Sequence, residues 1–364
     1  MEKILNSDTI TPFKAGTVQN GNKLFTFSTF KFKKVKISFP SRINAMAIDP
    51  SRVAVQCERC FTPGEILFSI NIPLTVTAEI VSGEDQICSN GRTALIKHAL
   101  GIMRWLTGFK EYVKIELEGV DYPHCGFGSS GRTIAAVCSA INEMLGNSVN
   151  ADDLQLFLAQ NHGEELSDND DLLVPVQCIG GAASSGLHHG GIQLLTGKSQ
   201  MIASADIQDE YKMAIGFPEN RVFRDSQEAM AAELHNMQQF YDIGKTHGDR
   251  IAYRILHELL PAITQKDWQV TGNVIEWYRY DLGSNEACSF SHPSLLKWAN
   301  LLRKNKKILE VDICGISSVG PALYAVSRCP EKSRDFFQRL GLKCIIADFY
   351  NNKYAVKLKE KWNH

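Results

Sequence analysis

The segment His124–Thr133 (HCGFGSSGRT) combines glycines, serines and an arginine just before a helix predicted over Thr133–Leu145. A loop of this composition that opens a helix directs several backbone N–H groups at one point, where the helix dipole also favours an anion. Glycine lets the backbone approach a ligand closely, and the guanidinium of Arg132 can bind a phosphate through two parallel hydrogen bonds. The pattern therefore predicts a phosphate-binding loop; the alternative is an ordinary helix start with flexible glycines.

Two further segments of small residues follow along the chain. Gly180–Gly191 (GGAASSGLHHGG) surrounds the pair His188 and His189 with glycines and serines, and Asp312–Tyr324 (DICGISSVGPALY) follows a strand-like run. The histidines can act as acid–base groups or metal ligands; the alternative is one packed and one solvated side chain. Three such segments in different parts of the chain together suggest a highly anionic ligand held between two domains.

The composition is that of an ordinary soluble protein, with 44% hydrophobic residues, 22% charged residues and a formal net charge of −1. It gives no reason to expect binding to nucleic acids or membranes, and no apolar run approaches the roughly 20 residues of a membrane span. The ten cysteines lack framework spacing, which favours free thiols and a cytoplasmic location. The CxxC pair, Cys57 and Cys60, has no second pair to complete a zinc site.

Strand and helix patterns divide the chain into two parts that must position these loops. The first 120 residues are mainly strand-like and include Val35–Phe39 and the alternating run Leu74–Ile80. Strand and helix patterns then alternate as far as Lys212–Phe217, and successive helices follow. This change predicts an α+β protein with an N-terminal domain of residues 1–217 and a C-terminal domain of residues 218–364.

At these motifs the sequence resembles a known superfamily. Gly126–Thr133 resembles the phosphate loop of the superfamily of galactokinase, homoserine kinase, mevalonate kinase and phosphomevalonate kinase (GHMP), and Pro40–Asn44 (PSRIN) resembles its N-terminal segment. The resemblance implies an N-terminal domain like the second domain of ribosomal protein S5 and a ferredoxin-like C-terminal domain. Arg42, within PSRIN, becomes a candidate to contact an anion, with a surface ion pair as its alternative.

Two segments depart from the kinase pattern. Ser185–His188 (SGLH) stands where the kinases usually have a sequence like PSGxD with a catalytic Asp, so that His188 replaces this Asp. Ser317–Ala325 (SSVGPALYA) is similar to the SSxGPTxYA motif of another branch, the β-ribofuranosylaminobenzene 5′-phosphate synthases. Gly180–Leu195 and Leu259–Ala262 also resemble segments of that branch.

The resemblance to this branch implies a function. Its members join phosphoribosyl pyrophosphate to an aromatic carboxylate through a C-glycosidic bond, with loss of CO2 and pyrophosphate, and related C-nucleoside enzymes take a heteroaromatic carboxylate. We therefore expect a decarboxylating C-glycosyltransferase that uses Mg2+ to stabilise the leaving pyrophosphate. Relatives are often dimers, so a homodimer is one option. Two alternatives stay open: an ATP-dependent small-molecule kinase of the same fold, and a relative that only binds metabolites or partners.

Each residue expected to bind phosphate offers either a glycine backbone that a ligand can approach closely or a side chain that can donate a hydrogen bond. Histidines are the catalytic candidates, and carboxylates at the ends of elements are the metal candidates, with an acid exposed to water as their alternative. The expected phosphate and phosphoribosyl pyrophosphate ligands are Gly126, Gly128, Ser129, Ser130, Arg132, Thr133, Ser184, Ser185, Gly186, Ser317, Ser318 and Gly320. The catalytic candidates are His188 and His124, and the Mg2+ candidates are Asp312 and Asp49.

Overall fold

The computed structural model describes residues 11–19, 21, 29–53, 63–89, 91–166, 171–175, 180–220, 222–223 and 226–361. The pair Cys57 and Cys60 lies outside these residues. Within them every cysteine is a free thiol, as the scattered spacing predicts. No helix in the described ranges is both long and apolar enough to cross a membrane.

Strands and helices are mixed along the whole chain, as expected for an α+β protein. The strands are β1 Phe13–Lys14, β2 Phe32–Ala47, β3 Glu65–Val81, β4 Gln86–Cys88, β5 Tyr112–Gly119, β6 Gly163–Glu165, β7 Leu172–Pro175, β8 Ile192–Leu195, β9 Met201–Ala205, β10 Lys212–Phe217, β11 Val311–Ile316, β12 Leu323–Ser327, β13 Lys343–Asp348 and β14 Ala355–Lys361. The α-helices are α1 Pro50–Val53, α2 Thr93–Thr107, α3 Ser129–Met144, α4 Ala151–Gln160, α5 Gly181–Leu187, α6 Ser226–His235, α7 Met237–Arg254, α8 Leu260–Gln265, α9 Trp268–Glu276, α10 Ser284–Ala287, α11 Leu295–Asn305 and α12 Pro330–Arg339.

The largest sheet has the strand order β14-β2-β3-β5-β4, and β8 and β9 extend it from the N-terminal part of β3. In β2, the apolar residues Val35, Ile37 and Phe39 are buried and alternate with Lys36 and Ser38, as a half-buried strand requires. The register with β3 shifts between Phe39 and Ser41. This irregularity accommodates Pro40, which has no N–H for the ladder. The strand therefore continues through the PSRIN motif to Ala47.

The second sheet contains four antiparallel strands in the order β11-β12-β10-β13. With helices between β10 and β11 and with α12 between β12 and β13, this is the βαββαβ arrangement of ferredoxin-like domains. The boundary proposed after Phe217 leaves β10 in the first domain, yet β10 is an inner strand of this sheet. Conversely, β14 pairs with β2. Since strands satisfy their backbone groups within one sheet, the C-terminal unit begins at Lys212, and residues 355–361 belong to the N-terminal sheet.

Two apolar cores hold these layers together. One lies between the first sheet and the helices α2 and α3, with Ile37 and Ile141 fully buried. The other joins the second sheet to its helices, with Phe337 fully buried, and it also includes Ile43 and Phe68 from the long strands β2 and β3. The two long strands therefore contribute to both cores and hold the region between them, where the small-residue loops lie.

The helices after β10 are interrupted at three points. The sequence predicts one continuous helix over 226–240. In the structure α6 ends at His235 and α7 begins at Met237. α7 and α9 continue into π-turns at Ile255–Leu259 and Trp277–Asp281. Such turns are frequent at functional sites, and the second one carries Tyr278 and Arg279 to the space between the sheets.

Candidate functional site

A cleft lies between the N-terminus of α3, the middle of β2 and the helices of the C-terminal half. The first half of the chain lines it with residues 126–131 and with Arg42 and Asn44. The second half lines it with residues of α6 and α7, with Tyr278 and Arg279, and with residues 318–320. The first and third small-residue loops therefore meet in one cleft.

The first loop presents free backbone donors to this cleft. α3 begins at Ser129, four residues before the predicted start at Thr133, and Gly128 before it is left-handed with a φ of 65°. The N–H of Arg132 donates to the carbonyl of Gly128 at 2.9 Å. The N–H groups of the three residues between them have no acceptor within the helix, so this terminus attracts an anion.

Arg132 and Thr133 face away from the cleft. Arg132 is only 1% exposed and donates to Ser41 Oγ, to Asp121 Oδ1 at 3.1 Å and to backbone carbonyls. Thr133 Oγ1 donates to the carbonyl of Ser129 at 3.1 Å. Neither side chain lines the cleft. Because α3 starts earlier than predicted, Arg132 lies within its first turn and its side chain points to the sheet. Its hydrogen bonds stabilise the loop on the side that faces away from the cleft.

An ion-pair network fixes the loop from its other side. Arg92 donates to Asp121 Oδ2 at 2.9 Å, to Glu165 Oε2 at 2.8 Å and to Ser129 Oγ at 2.7 Å. Burial raises the pKa of Asp121, but Arg92, Ser129 and Arg132 outweigh burial and lower it. The hydroxyl of Ser129 is therefore already engaged, and this residue offers the cleft its backbone N–H.

The third loop is bound directly to the first. Ser317 Oγ donates to the carbonyl of Gly126 at 2.6 Å and accepts from the N–H of Asn44 at 3.2 Å. Arg279 donates to the carbonyl of Ser318 at 3.0 Å. A Cβ on Gly126, whose φ is 84°, would lie 2.5 Å from the carbonyl oxygen of Ser317. Glycine is required there because the two loops approach so closely.

The second loop does not supply the expected ligands. Its serines lie within the short helix α5, where Ser184 Oγ donates to Gln193 at 2.6 Å and Ser185 Oγ donates to a carbonyl of the same helix at 2.9 Å. Gly186 packs on the ring of Phe39. Both serines are completely buried and neither lines the cleft, so their hydroxyls stabilise the fold.

The two candidate histidines have different positions. His124 adopts a φ of 57°, lines the cleft beside the first loop and interacts electrostatically with Glu164. His188 follows α5, is 8% exposed and lies 3.5 Å from Asp152 Oδ1, outside the cleft lining. Burial lowers the pKa of His188 although Asp152 opposes this effect. The structure therefore brings His124, and not His188, to the first and third loops.

The two candidate metal ligands also lie apart from the cleft lining. Asp49 Oδ1 accepts from the hydroxyl of Ser51 at 2.6 Å and from its N–H at 3.1 Å. Asp312 lines a separate polar depression together with Lys306 and Arg328. Among the described residues, no group of three or more His, Cys, Asp or Glu side chains is arranged to hold a metal ion.

Arg42 is an incompletely bonded cation in the cleft. Its side chain is 14% exposed, and its Nε lies 3.9 Å from Oε2 of the fully buried Glu65. Nε and Nη1 have no hydrogen-bond partner in the part of the chain that the structure describes. Arg42 packs on Gly128, directly beside the N-terminus of α3. An anion at that terminus would accept hydrogen bonds from the planar guanidinium of Arg42.

Glu164 carries no loop signature in the sequence, yet it lines the cleft together with Ser130 and His162. Its Oε1 is 3.1 Å from His162 Nε2, and its Oε2 accepts from Ser130 Oγ at 2.5 Å. Burial raises the pKa of Glu164, but His162, Ser130 and His124 together lower it to about 2. Glu164 is therefore ionised at any physiological pH.

Glu233, on α6, is the second carboxylate of the cleft, and it has no sequence signal either. Burial and the negative charge of Glu164 raise the pKa of Glu233 to about 7. A pair of titratable groups whose surroundings push their pKa values apart is typical of acid–base sites. The pair arises from a strand and a helix that are distant in sequence, so that only the fold brings them together.

The other half of the cleft is apolar and aromatic. α6 and α7 contribute Met230, Met237 and Phe240, and the turn after α10 contributes Phe290. Ser291 also lines this half, and its buried Oγ has no hydrogen-bond partner among the described residues. Apolar walls with a few polar groups are typical of small-molecule sites, and this half suits a flat ring with one polar substituent.

No protein-family model and no curated protein matches the chain. Several solved structures match it over most of its length. A homoserine kinase from Cytophaga hutchinsonii is 16% identical with a TM-score of 0.58, and the match covers 91% of this chain and 99% of that chain. A mevalonate diphosphate decarboxylase from Staphylococcus aureus is 16% identical with a TM-score of 0.60, over 90% of this chain and 98% of that chain.

A mevalonate diphosphate decarboxylase from Enterococcus faecalis, described with mevalonate diphosphate and ATP, is also 16% identical with a TM-score of 0.59, over 89% of this chain and 99% of that chain. The chain therefore has the two-domain GHMP-kinase-like fold, and the fold class predicted from the strand and helix patterns and from the resemblance is confirmed. At this level of identity the likeness concerns the fold alone.

Proposed function

We propose that this protein is a phosphoribosyl pyrophosphate-dependent C-glycosyltransferase that joins ribose 5-phosphate to an aromatic or heteroaromatic carboxylate and releases CO2 and pyrophosphate. One observation carries the proposal: the segment Ser317–Tyr324, which sets the sequence apart from the kinases, lies against the phosphate loop through the bond from Ser317 to Gly126. Because this segment differs from the kinase motif and also borders the cleft, the difference should affect which ligand the cleft binds. The departure at His188 lies outside the cleft lining and no longer argues against a kinase.

The polar half of the cleft has the donors that a leaving pyrophosphate requires. When pyrophosphate departs, the anomeric carbon becomes oxocarbenium-like, as in glycoside cleavage, and negative charge develops on the leaving group. The free N–H groups at the start of α3 and the guanidinium of Arg42 lie side by side. Fixed donors of this kind stabilise developing charge without rearrangement.

Glu164 and Ser130, which line the cleft, would hold Mg2+, rather than Asp49 or Asp312, which do not line it. The Glu164 carboxylate and the Ser130 hydroxyl are 2.5 Å apart and beside the helix N-terminus. Mg2+ prefers such oxygen ligands together with water and substrate phosphates. When bound there, it would supply positive charge against the pyrophosphate oxygens.

The apolar half of the cleft would hold the acceptor ring. Its walls, including Phe240 and Phe290, exclude water from a flat substrate, which favours the loss of the carboxylate charge as CO2. The ring carbon must lie in line with the anomeric carbon while pyrophosphate leaves on the opposite side. Glu164 and Glu233 line the same cleft, in which such a reaction would take place.

An ATP-dependent small-molecule kinase is the alternative, and one observation favours it. Glu233 is a carboxylate in the cleft whose pKa lies at about 7, which suits a base that accepts the proton of an acceptor alcohol. The same group would serve either reaction, so the two functions must be separated by their products.

The deciding experiment mixes the purified protein with phosphoribosyl pyrophosphate, Mg2+ and a panel of aromatic and heteroaromatic carboxylates. Release of CO2 and pyrophosphate in equal amounts would support the proposal. Transfer of labelled phosphate from ATP to an alcohol, without release of CO2 in the first assay, would overturn it in favour of the kinase. Parallel assays of Arg42→Met, and of Arg104→Met as a control outside the cleft, would tie the activity to this site.

A further inference from the structure

The polar depression that Asp312 lines is a second cavity of the molecule. It has a volume of about 760 Å³, and none of its lining residues also lines the cleft. Its walls come from the C-terminal unit, mainly from α9, from the end of α11 with the turn after it, and from the residues that begin β11 and follow β12. A cavity with an excess of one charge concentrates ions of the opposite charge. Against three carboxylates, the lining includes five cations, which are Arg303, Lys304, Lys306, Lys307 and Arg328.

Two of the three carboxylates in the polar depression form ion pairs. Glu276, the last residue of α9, accepts from Arg303 Nε at 3.1 Å and from Lys306 Nζ at 3.2 Å. Glu310 pairs with Lys332, which lies outside the lining. These pairs engage Arg303 and Lys306 as well as the two carboxylates. The excess positive charge of the depression therefore lies on its other cations.

Lys304 and Lys307 are the lysines of the polar depression that these pairs leave unused. Both are exposed, and neither forms an ion pair with any residue that the structure describes. The backbone stays helical at Lys306, so the two lysines, three residues apart, lie on the same side. A cation in the last turn of a helix stabilises the helix, which accounts for Lys304. It does not account for Lys307, beyond the end of α11, or for Arg328, which follows a strand.

Arg328 reaches the polar depression from the end of β12 and is held there by an aromatic ring. Its guanidinium carbon lies 4.8 Å from the centroid of the Tyr211 ring. Burial, together with the carboxylate of Asp312, raises the pKa of Tyr211, so that Tyr211 stays protonated and its hydroxyl can donate to Asp312. The Arg328 side chain is 63% exposed, and its Nη2 lies 4.0 Å from Glu210 Oε1, too far for a hydrogen bond. The guanidinium is therefore positioned, yet its donors remain available to a ligand.

We propose that the polar depression is a second anion site, which binds a ligand with two or more linked phosphate groups through Lys304, Lys307 and Arg328. Cations that come from a helix end, a turn and a strand end match several linked charges better than one small ion. The planar guanidinium can bind one phosphate through two parallel hydrogen bonds, and the lysines act as point charges for the next. The inference does not depend on the function proposed above, because it uses no residue of the cleft.

The test is isothermal titration calorimetry of the full chain with inorganic pyrophosphate in the absence of Mg2+. The double variant Lys304→Met/Lys307→Met should bind pyrophosphate at the depression about tenfold more weakly than the wild type, because two exposed charge pairs are lost. Arg42→Met should keep this binding event, which separates it from any binding in the cleft. Lys297→Met/Lys343→Met is the matched control, since it removes the same charge from exposed positions outside the depression, and it should bind like the wild type.

A second variant and a second ligand sharpen the result. Arg328→Met, on a different element, should weaken the same binding event, and thermal unfolding reports whether each variant is folded. Replacing pyrophosphate by ADP identifies the source of the phosphates: equal affinity at the lysine-dependent site indicates inorganic pyrophosphate, and tighter binding of ADP indicates a nucleoside diphosphate.

Three results would overturn the proposal. The first is that pyrophosphate does not bind to the wild type, or binds equally well to folded Lys304→Met/Lys307→Met. The second is an equal loss of affinity in Lys297→Met/Lys343→Met, which would show attraction by net charge alone. The third is that sulfate at the same ionic strength binds as tightly as pyrophosphate, which would show a site for an adventitious ion only.

Discussion

Replacing Arg42 by methionine tests the proposed anion site directly, because methionine keeps much of the aliphatic stem and removes the guanidinium. The Nε and Nη1 groups lack hydrogen-bond partners within the described residues, so a phosphate would engage them without breaking existing bonds. A hydrogen bond to a charged group contributes about 1.5–3 kcal/mol. Two such bonds therefore correspond to about 3–6 kcal/mol, or roughly a 10²–10⁴-fold weaker affinity for phosphoribosyl pyrophosphate.

The same substitution has a separate effect on stability. Glu65 is fully buried and lies 3.9 Å from Arg42 Nε, so that removal of the guanidinium leaves the carboxyl group without its neighbouring cation. Breaking one side of a buried pair costs about 3–5 kcal/mol, although the amide of Asn44 still donates to Glu65. Glu65→Gln in the Arg42→Met background should therefore recover part of the lost stability without restoring affinity.

Isothermal titration calorimetry with phosphoribosyl pyrophosphate and Mg2+ measures the affinity, and thermal unfolding of the same samples measures stability. Arg104→Met is the matched control, because Arg104 pairs with Asp85 at 2.6 Å and does not line the cleft. Its affinity should equal that of the wild type. If folded Arg42→Met binds the ligand as tightly as Arg104→Met does, Arg42 does not contact the anion and the assignment of the polar half is wrong.

Gly126→Ala should lower the free energy of unfolding in urea by about 1–3 kcal/mol more than Gly83→Ala; both glycines have a positive φ, but a Cβ meets a carbonyl at 2.5 Å at Gly126 and nothing within 4 Å at Gly83. Glu164→Gln should raise the Mg2+ concentration needed for half-maximal activity, whereas Asp312→Asn should leave it unchanged. For Glu233, the folded-state pKa of about 7 lies above its ordinary value, so the stabilising contribution of its neutral form is present below about pH 4 and is lost as the pH rises through 7. The Tm of Glu233→Gln should accordingly exceed that of the wild type at pH 8 and equal it at pH 4.

Features with a local signal were predictable from the sequence. The sequence also predicts a helix at about Ala151–Gln160, and the bounds of α4 and of β10 agree with those predicted. Asn150 caps the helix through a bond from the N–H of Asp153, and β10 is a short apolar run. The phosphate loop was predictable for the same reason. The first turn of α3 was missed because its glycine and serines disfavour helix in sequence-based reasoning, although Gly128 begins the helix in the structure.

The direction in which a side chain points, and the contacts between segments that are distant in sequence, could not be predicted from the sequence. Arg132 belongs to the phosphate-loop motif, but its position in the first turn of α3 turns its side chain towards Asp121. The serines of the second loop have suitable hydroxyls, which the fold engages elsewhere. Glu164 and Glu233 come from a strand and a helix without distinctive patterns, and their opposite pKa shifts arise from His162 and from burial. Neither cause is visible before the chain is folded.

A carboxylate base at Glu233, which would serve either reaction, also distinguishes the two candidate reactions by substrate. In phosphoryl transfer, the acceptor oxygen itself attacks phosphorus, so that loss of a base slows the reaction of every alcohol. In C-glycosyl transfer, the ring carbon attacks, and a ring amino group can donate its lone pair without first losing a proton. A base should therefore matter much more for a hydroxyl-bearing ring than for its amino counterpart. A larger effect of Glu233→Gln on the hydroxyl acceptor than on the amino acceptor would support carbon as the nucleophile, independently of the products detected.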